Sequence, residues 1–190
     1  AGLNAKWTDT VTSLITNSVN HELKSGIKLK DLESSNRIPE IEFHFPTSNI
    51  SFNDLLAIIR GISVQDSRES IHGFIKGYID LTFKVKGKFY ILDYKSNHLG
   101  DTFQDYEMNA LENEIEHSNY DLQYHLYVVA LHRMLKLSIS DYNYETHFGG
   151  VYYLFLRGVN IEDKESGVFF HKPDFKVIDK LDQLFKRSDK

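Results

Sequence analysis

From residue 3 to 20 apolar positions recur every three or four residues. Leu3, Trp7, Val11, Leu14, Ile15 and Val19 trace one stripe, the pattern of an amphipathic helix. The next stretch, HELKSGIKLKDLESSNRIP (21–39), is polar, carries Gly26 and Pro39, and reads as a connection. EIEFHF (40–45) alternates and predicts a strand stopped by Pro46. Ser51 stands where it can cap a short helix carrying Leu55, Leu56, Ile58 and Ile59. Residues 72–95 predict a β-hairpin: Ile75, Ile79, Leu81 and Phe83 share one parity, and Lys86-Gly87-Lys88 supplies the turn. Residues 102–117 predict a polar helix, and residues 120–137 a stronger one with Leu122, Leu126, Val129, Ala130 and Leu137 on one stripe. HFGGVYYLFLR (147–157) is too apolar for an edge strand and predicts a central one, with Gly149 and Gly150 marking a bulge or a close backbone approach. Asp174 is placed to cap a last helix through Val177, Ile178, Leu181, Leu184 and Phe185. This order predicts a mixed α/β domain, one central sheet flanked by helices.

Composition narrows the picture. A chain of 190 residues suits one domain, divisible into a helical and linker part (1–70), a core (71–160) and a C-terminal helix (161–190). Hydrophobic residues at 41% supply a real core, and only 3 prolines leave room for long helices and paired strands. With no cysteine, disulfides, thiolate metal sites and cysteine nucleophiles are excluded, and a reducing, cytoplasmic setting is expected. No apolar run approaches the ~18 residues of a membrane span. AGLNAKWTDT, at the N-terminus, lacks the regions of a signal peptide. The net charge of −5 gives no global argument for nucleic acid. An acidic protein can still bind DNA locally where metal ions sit between its carboxylates and the phosphates.

The candidate chemistry lies in GYIDLTFKVKGKFYILDYKSN (77–97), where Asp80, Asp93 and Lys95 interrupt strand-like text. A Lys86-Gly87 loop sets Asp80 directly opposite Asp93; a Gly87-Lys88 loop sets it opposite Lys95. Either register puts the three on one face. Two carboxylates about 5 Å apart repel unless something positive intervenes. Lys95, a shared proton or a divalent cation would serve. The lysine favours the cation, beside which an amine can orient a water or stabilise charge during attack on a phosphodiester. A lone D-x-K is more often a surface ion pair; the longer pattern on a hairpin argues against that.

GYID followed by DYKSN after a hydrophobic strand resembles the PD-(D/E)XK nuclease superfamily, and most of all its RecB-type nuclease domains. GFIKGYIDLTF, KFYILDYKSNHLG, YDLQYHLYVVALHR and DYNYETHFGGVYYLFLRGV carry the resemblance, in the family's order; residues 1–70 match more loosely. It implies the restriction-endonuclease-like fold, with Asp80, Asp93 and the Tyr94 carbonyl as ligands of Mg²⁺, Lys95 as the catalytic lysine, and Gln123 and Tyr127 as the Q-x3-Y motif of the site. The last two, at i and i+4, share a helix face away from the Leu122/Leu126/Val129 stripe. The family also uses a histidine on an upstream helix, in a context like F-L-H, which is absent here. His21 (VNHELKS) and His44 (EFHF) lack that context, so the chain is expected to begin after that helix, one ligand short. The remaining histidines, with Arg157, read as structural or surface residues; His98 is close enough to DYKSN to approach DNA.

The resemblance implies a Mg²⁺-dependent DNA exonuclease domain of a helicase-nuclease acting in double-strand-break repair and recombination. Implied partners are DNA, RecC-like and RecD-like subunits, and the RecA recombinase. Two other readings remain: a catalytically incomplete module that docks partners or loads RecA, and a phage-type exonuclease with the same D…D-x-K signature.

Overall fold

The computed structural model describes residues 5–62 and 71–188. Its helices are α1 (Thr8–Asn20), α2 (Phe52–Arg60), α3 (Met108–His117), α4 (Tyr120–Ser138), α5 (Tyr144–His147) and α6 (Phe175–Ser188). Its strands are β1 (Arg37–Ile50), β2 (Ile71–Val85), β3 (Lys88–Lys95), β4 (Phe148–Phe155) and β5 (Val168–His171). They form one sheet in the order β1-β2-β3-β4-β5, with β3 and β4 parallel and every other neighbouring pair antiparallel. The mixed sheet flanked by helices is the architecture expected from the sequence.

One face of the sheet carries the larger core. Ile79, Ile91, Val151, Tyr153 and Phe155 pack there against Val128, Val129 and Leu131 of α4 and Ile178, Leu181 and Phe185 of α6. Local signals set the helix ends. Ser51 and Asp54 form a reciprocal capping box at α2, and the Asp174 carboxylate accepts from Lys176 N–H at 2.7 Å before α6. Arg60 then clamps α2 to α4 through both Asp121 oxygens, at 2.6 and 2.8 Å.

The opposite face departs from expectation. Residues 21–39 are no mere connection: Leu23, Ile27 and Leu29 are buried against Phe83, Tyr90, Leu92, Tyr152 and Leu154. Because this irregular segment occupies the sheet, α1 lies outside it. Only Ser18 of α1 is fully buried and Trp7 and Ile15 stay exposed, whereas Val11, Leu14 and Val19 of the stripe are half-buried and Val19 packs against this cluster. Leu3 falls outside the described residues. In α4, Leu137 is exposed and leaves its predicted stripe. The polar helix predicted at 102–117 divides into a 3₁₀ turn at Phe103–Tyr106 and α3. The short strand β5 has too few residues to show a period.

Strand β1 runs through both Pro39 and Pro46, which were expected to bound it. It is an edge strand, hydrogen-bonded on one side only, where proline is tolerated. A second irregularity shapes the site. Pro39 pairs with Leu81 and Ile41 with Ile79, but the intervening Glu40 has φ 53° and makes no pair with Asp80. Past this kink the faces exchange. Ile75 and Ile79 belong to the α4 side, whereas Leu81 and Phe83, of the same parity, belong to the other.

The β2–β3 loop is Lys86-Gly87, with φ of 49° and 80°, and Val85 pairs with Lys88. Two positive φ values match the right-handed twist of the flanking strands. The parallel β3–β4 pair slips by one residue at Gly149, where a side chain would collide with the Tyr90 ring. This is the close approach that the glycine pair suggested.

Burial also creates a pH dependence away from the sheet's polar end. His125 on α4 is buried, and its Nδ1–H donates to the Asp121 carbonyl at 2.7 Å. Burial lowers its pKa to about 4, against an ordinary value of 6.5. The unfolded chain therefore takes up a proton first as pH falls. Stability is full above the unfolded value and declines down to about pH 4, by up to ~3 kcal/mol. Urea midpoints measured at pH 7 and pH 5 should show this loss, and His125→Gln should flatten it.

Candidate active site

The Lys86-Gly87 loop fixes the register that sets Asp80 toward Asp93. The β2–β3 ladder is continuous from Val85↔Lys88 to Leu81↔Leu92, and Asp80 and Asp93 are the next residues beyond it. There the strands are joined instead by a side chain: Tyr94 N–H donates to Asp80 Oδ2 at 3.0 Å. The Glu40 kink lies directly across from Asp80 on its other flank and leaves that flank without a ladder partner.

Asp93 and Lys95 alternate with Tyr94, so both point to the α4 face. Both are buried, at 4% and 7% exposure. Lys95 Nζ lies 2.7 Å from Asp93 Oδ2 and donates to Gln123 Oε1 at 2.6 Å. The same ammonium sits over two aromatic faces, 3.9 Å from the centroid of Tyr120 and 4.5 Å from that of Tyr153. The Tyr153 hydroxyl donates to the same Gln123 oxygen at 2.8 Å, so one amide oxygen receives two donors. Tyr153 reaches this position because β4 runs parallel to β3 and pairs Tyr153 with Asp93. Tyr127, one helical turn after Gln123, is buried and hydrogen-bonds Asp93.

These contacts set the electrostatics. Burial lifts the Asp93 carboxyl above the usual aspartate range and the Asp80 charge adds to this, while Lys95 and Tyr127 act against it. Burial, followed by the charges of Asp93 and Asp80, pushes the Tyr127 phenol upward, so it remains a donor. Tyr94, on the opposite face, is also raised by burial and by Asp80, with Arg37 acting against. Asp80 thus acts on both faces of the sheet at once.

The fold brings Asp80, Asp93, Lys95, Gln123 and Tyr127 to one place. Tyr120 and Tyr153, which frame the lysine, were not singled out from the sequence. An aromatic beside the Q-x3-Y pair and another in a core strand carry no distinguishing signal in one dimension. The two upstream histidines lie elsewhere. His21 is fully buried, with its ring nitrogens 2.8 and 3.2 Å from the carbonyls of Asn160 and Lys164, and His44 pairs with Glu42 on the surface. His98 is exposed and contacts Asp101, and Arg157 donates Nε to the Ser96 carbonyl. Among the described residues no cluster of three or more histidine or acidic side chains forms a ready metal cage. Two carboxylates and a carbonyl nevertheless suit Mg²⁺, which keeps several waters and takes few protein ligands. Asp80 adds a second negative charge to the Asp93–Lys95 pair, and such a hard cation would offset it.

No family model matches the chain. It is 38% identical over 192 residues to RecBCD enzyme subunit RecB of Escherichia coli (strain K12), a match that covers 97% of this chain and 16% of that protein. It is 40% identical over 187 residues to the RecB subunit of Buchnera aphidicola subsp. Schizaphis graminum, covering 94% of this chain and 16% of that protein. Against the RecB subunit of Haemophilus influenzae (strain ATCC 51907 / DSM 11121 / KW20 / Rd) the identity is 43% over 167 residues, covering 84% of this chain and 14% of that protein. The chain therefore spans about one sixth of the length of these relatives.

The buried pair predicts a pH-dependent loss in the variant Lys95→Ala. Without the ammonium, the folded-state Asp93 pKa rises further, and the ionised carboxylate is stranded. Destabilisation of about 3 kcal/mol is expected at pH 8, in the range for a broken buried pair. It should shrink toward pH 5 as Asp93 takes up a proton. Denaturant melts at both pH values measure this.

Proposed function

The chain is a homologue of one segment of the RecB subunits, and on that premise we propose that it is a Mg²⁺-dependent DNA phosphodiesterase domain. In this reading it is an exonuclease serving a RecBCD-type enzyme in double-strand-break repair and recombination. The observation that carries the reading is the buried Asp93–Lys95–Gln123 arrangement beside Asp80. An ammonium so held is an expensive feature for stability alone, since desolvation offsets much of the ion-pair attraction.

Asp80, Asp93 and the Tyr94 carbonyl would hold the Mg²⁺. When bound, the cation supplies positive charge to the phosphate and acidifies water. The chain's own residues do the rest. Asp93 and Gln123 fix Lys95 Nζ by two of its three N–H groups, and the faces of Tyr120 and Tyr153 stabilise the ammonium. That leaves a positioned donor to orient the attacking water and meet the charge that develops on the phosphate. Tyr127 holds the Asp93 carboxylate, and Gln123 couples Lys95 to Tyr153. The partners proposed with this role are DNA, RecC-like and RecD-like subunits, and RecA.

The test is Mg²⁺-dependent degradation of end-labelled single-stranded DNA by the chain, beside Asp93→Asn and Lys95→Ala. Each substitution should lower the rate by at least ~100-fold, as for loss of a group acting on transition-state charge. Undiminished cleavage in either variant would remove the reading. An inactive parent that still binds RecC-like or RecD-like subunits would turn the assignment toward a docking module.

A further inference from the structure

The Glu40 kink has a second product. It turns Pro39 and Leu81 onto the face away from α4, where they join Val19, Leu29 and Leu32 in lining a hollow of about 500 Å³. Asp80 stands at its edge, the Tyr94 ring forms one wall, and Lys30 and Arg37 complete the lining. The volume lies within the ~300–1,000 Å³ of sites for small organic groups. The hollow meets the active site at Asp80, which lines the one and, gripped by the Tyr94 N–H, belongs to the other.

The charges identify the occupant. The chain is acidic overall, yet two cations flank this hollow. Among the described residues neither Lys30 nor Arg37 has a carboxylate partner; Arg37 makes only a 3.5 Å contact with the Ser34 hydroxyl. Both are exposed, as is the face of Tyr94, at 38%. An apolar floor, an aromatic wall and unpaired cations beside a phosphodiesterase site match one chemistry: a flat base flanked by phosphates.

We propose that this hollow receives one unpaired base of a DNA single strand, stacked on Tyr94, with Lys30 and Arg37 on the adjoining phosphates. The proposal rests on the phosphodiesterase reading, since the strand is the one presented to Asp80, Asp93 and Lys95.

Binding separates this proposal from catalysis. The probe is an oligothymidylate carrying a single 2-aminopurine, titrated with the chain in Ca²⁺ in place of Mg²⁺ to hold off cleavage. Saturation should quench the 2-aminopurine, and a blunt duplex of matched length should not. Tyr94→Leu should abolish quenching and weaken binding about tenfold. Lys30→Ala with Arg37→Ala should lower the slope of log affinity against log salt by about 0.7 per cation, a change that a purely structural effect would not produce. Unchanged quenching in Tyr94→Leu, an unchanged salt slope in the double variant, or no binding of the oligothymidylate would each overturn the proposal. Asp93→Asn cleavage, followed in parallel with Mg²⁺, reports separately on the phosphodiesterase reading.

Discussion

The ion pair between Asp93 and Lys95 is the constraint around which the polar end of the sheet is arranged. Both side chains point into the face that carries the main core, where burial disfavours each charge alone. The surroundings answer that cost from two elements. Strand β4 brings Tyr153, helix α4 brings Gln123 and Tyr127, and the first residue of α4, Tyr120, lays its ring over the ammonium. Each element is also a wall of the apolar core, so the same packing that holds the fold holds the lysine. Tyr120 is tied in turn: its hydroxyl donates to Asn97 Oδ1 at 3.0 Å, and Asn97 donates to Glu114 of α3. The polar network thus runs from β3 through two helices with few loose ends.

Asp80 stands apart from this order. It is half-buried, held by one backbone donor, and flanked on β1 by a residue of positive φ in place of a ladder partner. The site therefore divides into an enclosed lysine, held on several sides, and an accessible carboxylate. On the proposed function, the accessible part would be the one to meet phosphate.

Much of this was legible in one dimension. The two-residue loop, the parity of Asp93 and Lys95, and the i, i+4 spacing of Gln123 and Tyr127 are local facts, and local facts carry over to structure. The capping residues Ser51 and Asp174 were legible for the same reason. What escaped was set by tertiary competition. Leu23, Ile27 and Leu29 sit among lysines and a glycine with no period, so nothing marks them as the cover of a sheet face. Once they take that place, the better-patterned α1 is displaced from it. The exchange of faces at Glu40 escaped because a parity argument assumes an unbroken strand, and glutamate carries no warning of positive φ. Tyr120 and Tyr153 gained their roles only through the parallel pairing of β3 with β4, which no local signal specifies.

That parallel pairing also divides the site by the range of its contacts along the chain. The tight β2–β3 turn brings the two carboxylates together from neighbouring stretches of chain, at little cost in loop closure. The cage for Lys95 needs β4, which lies beyond α3, α4 and α5 in the chain, so its closure spans a far longer loop. Local contacts thus bring the acids together, while the confinement of their lysine depends on distant ones.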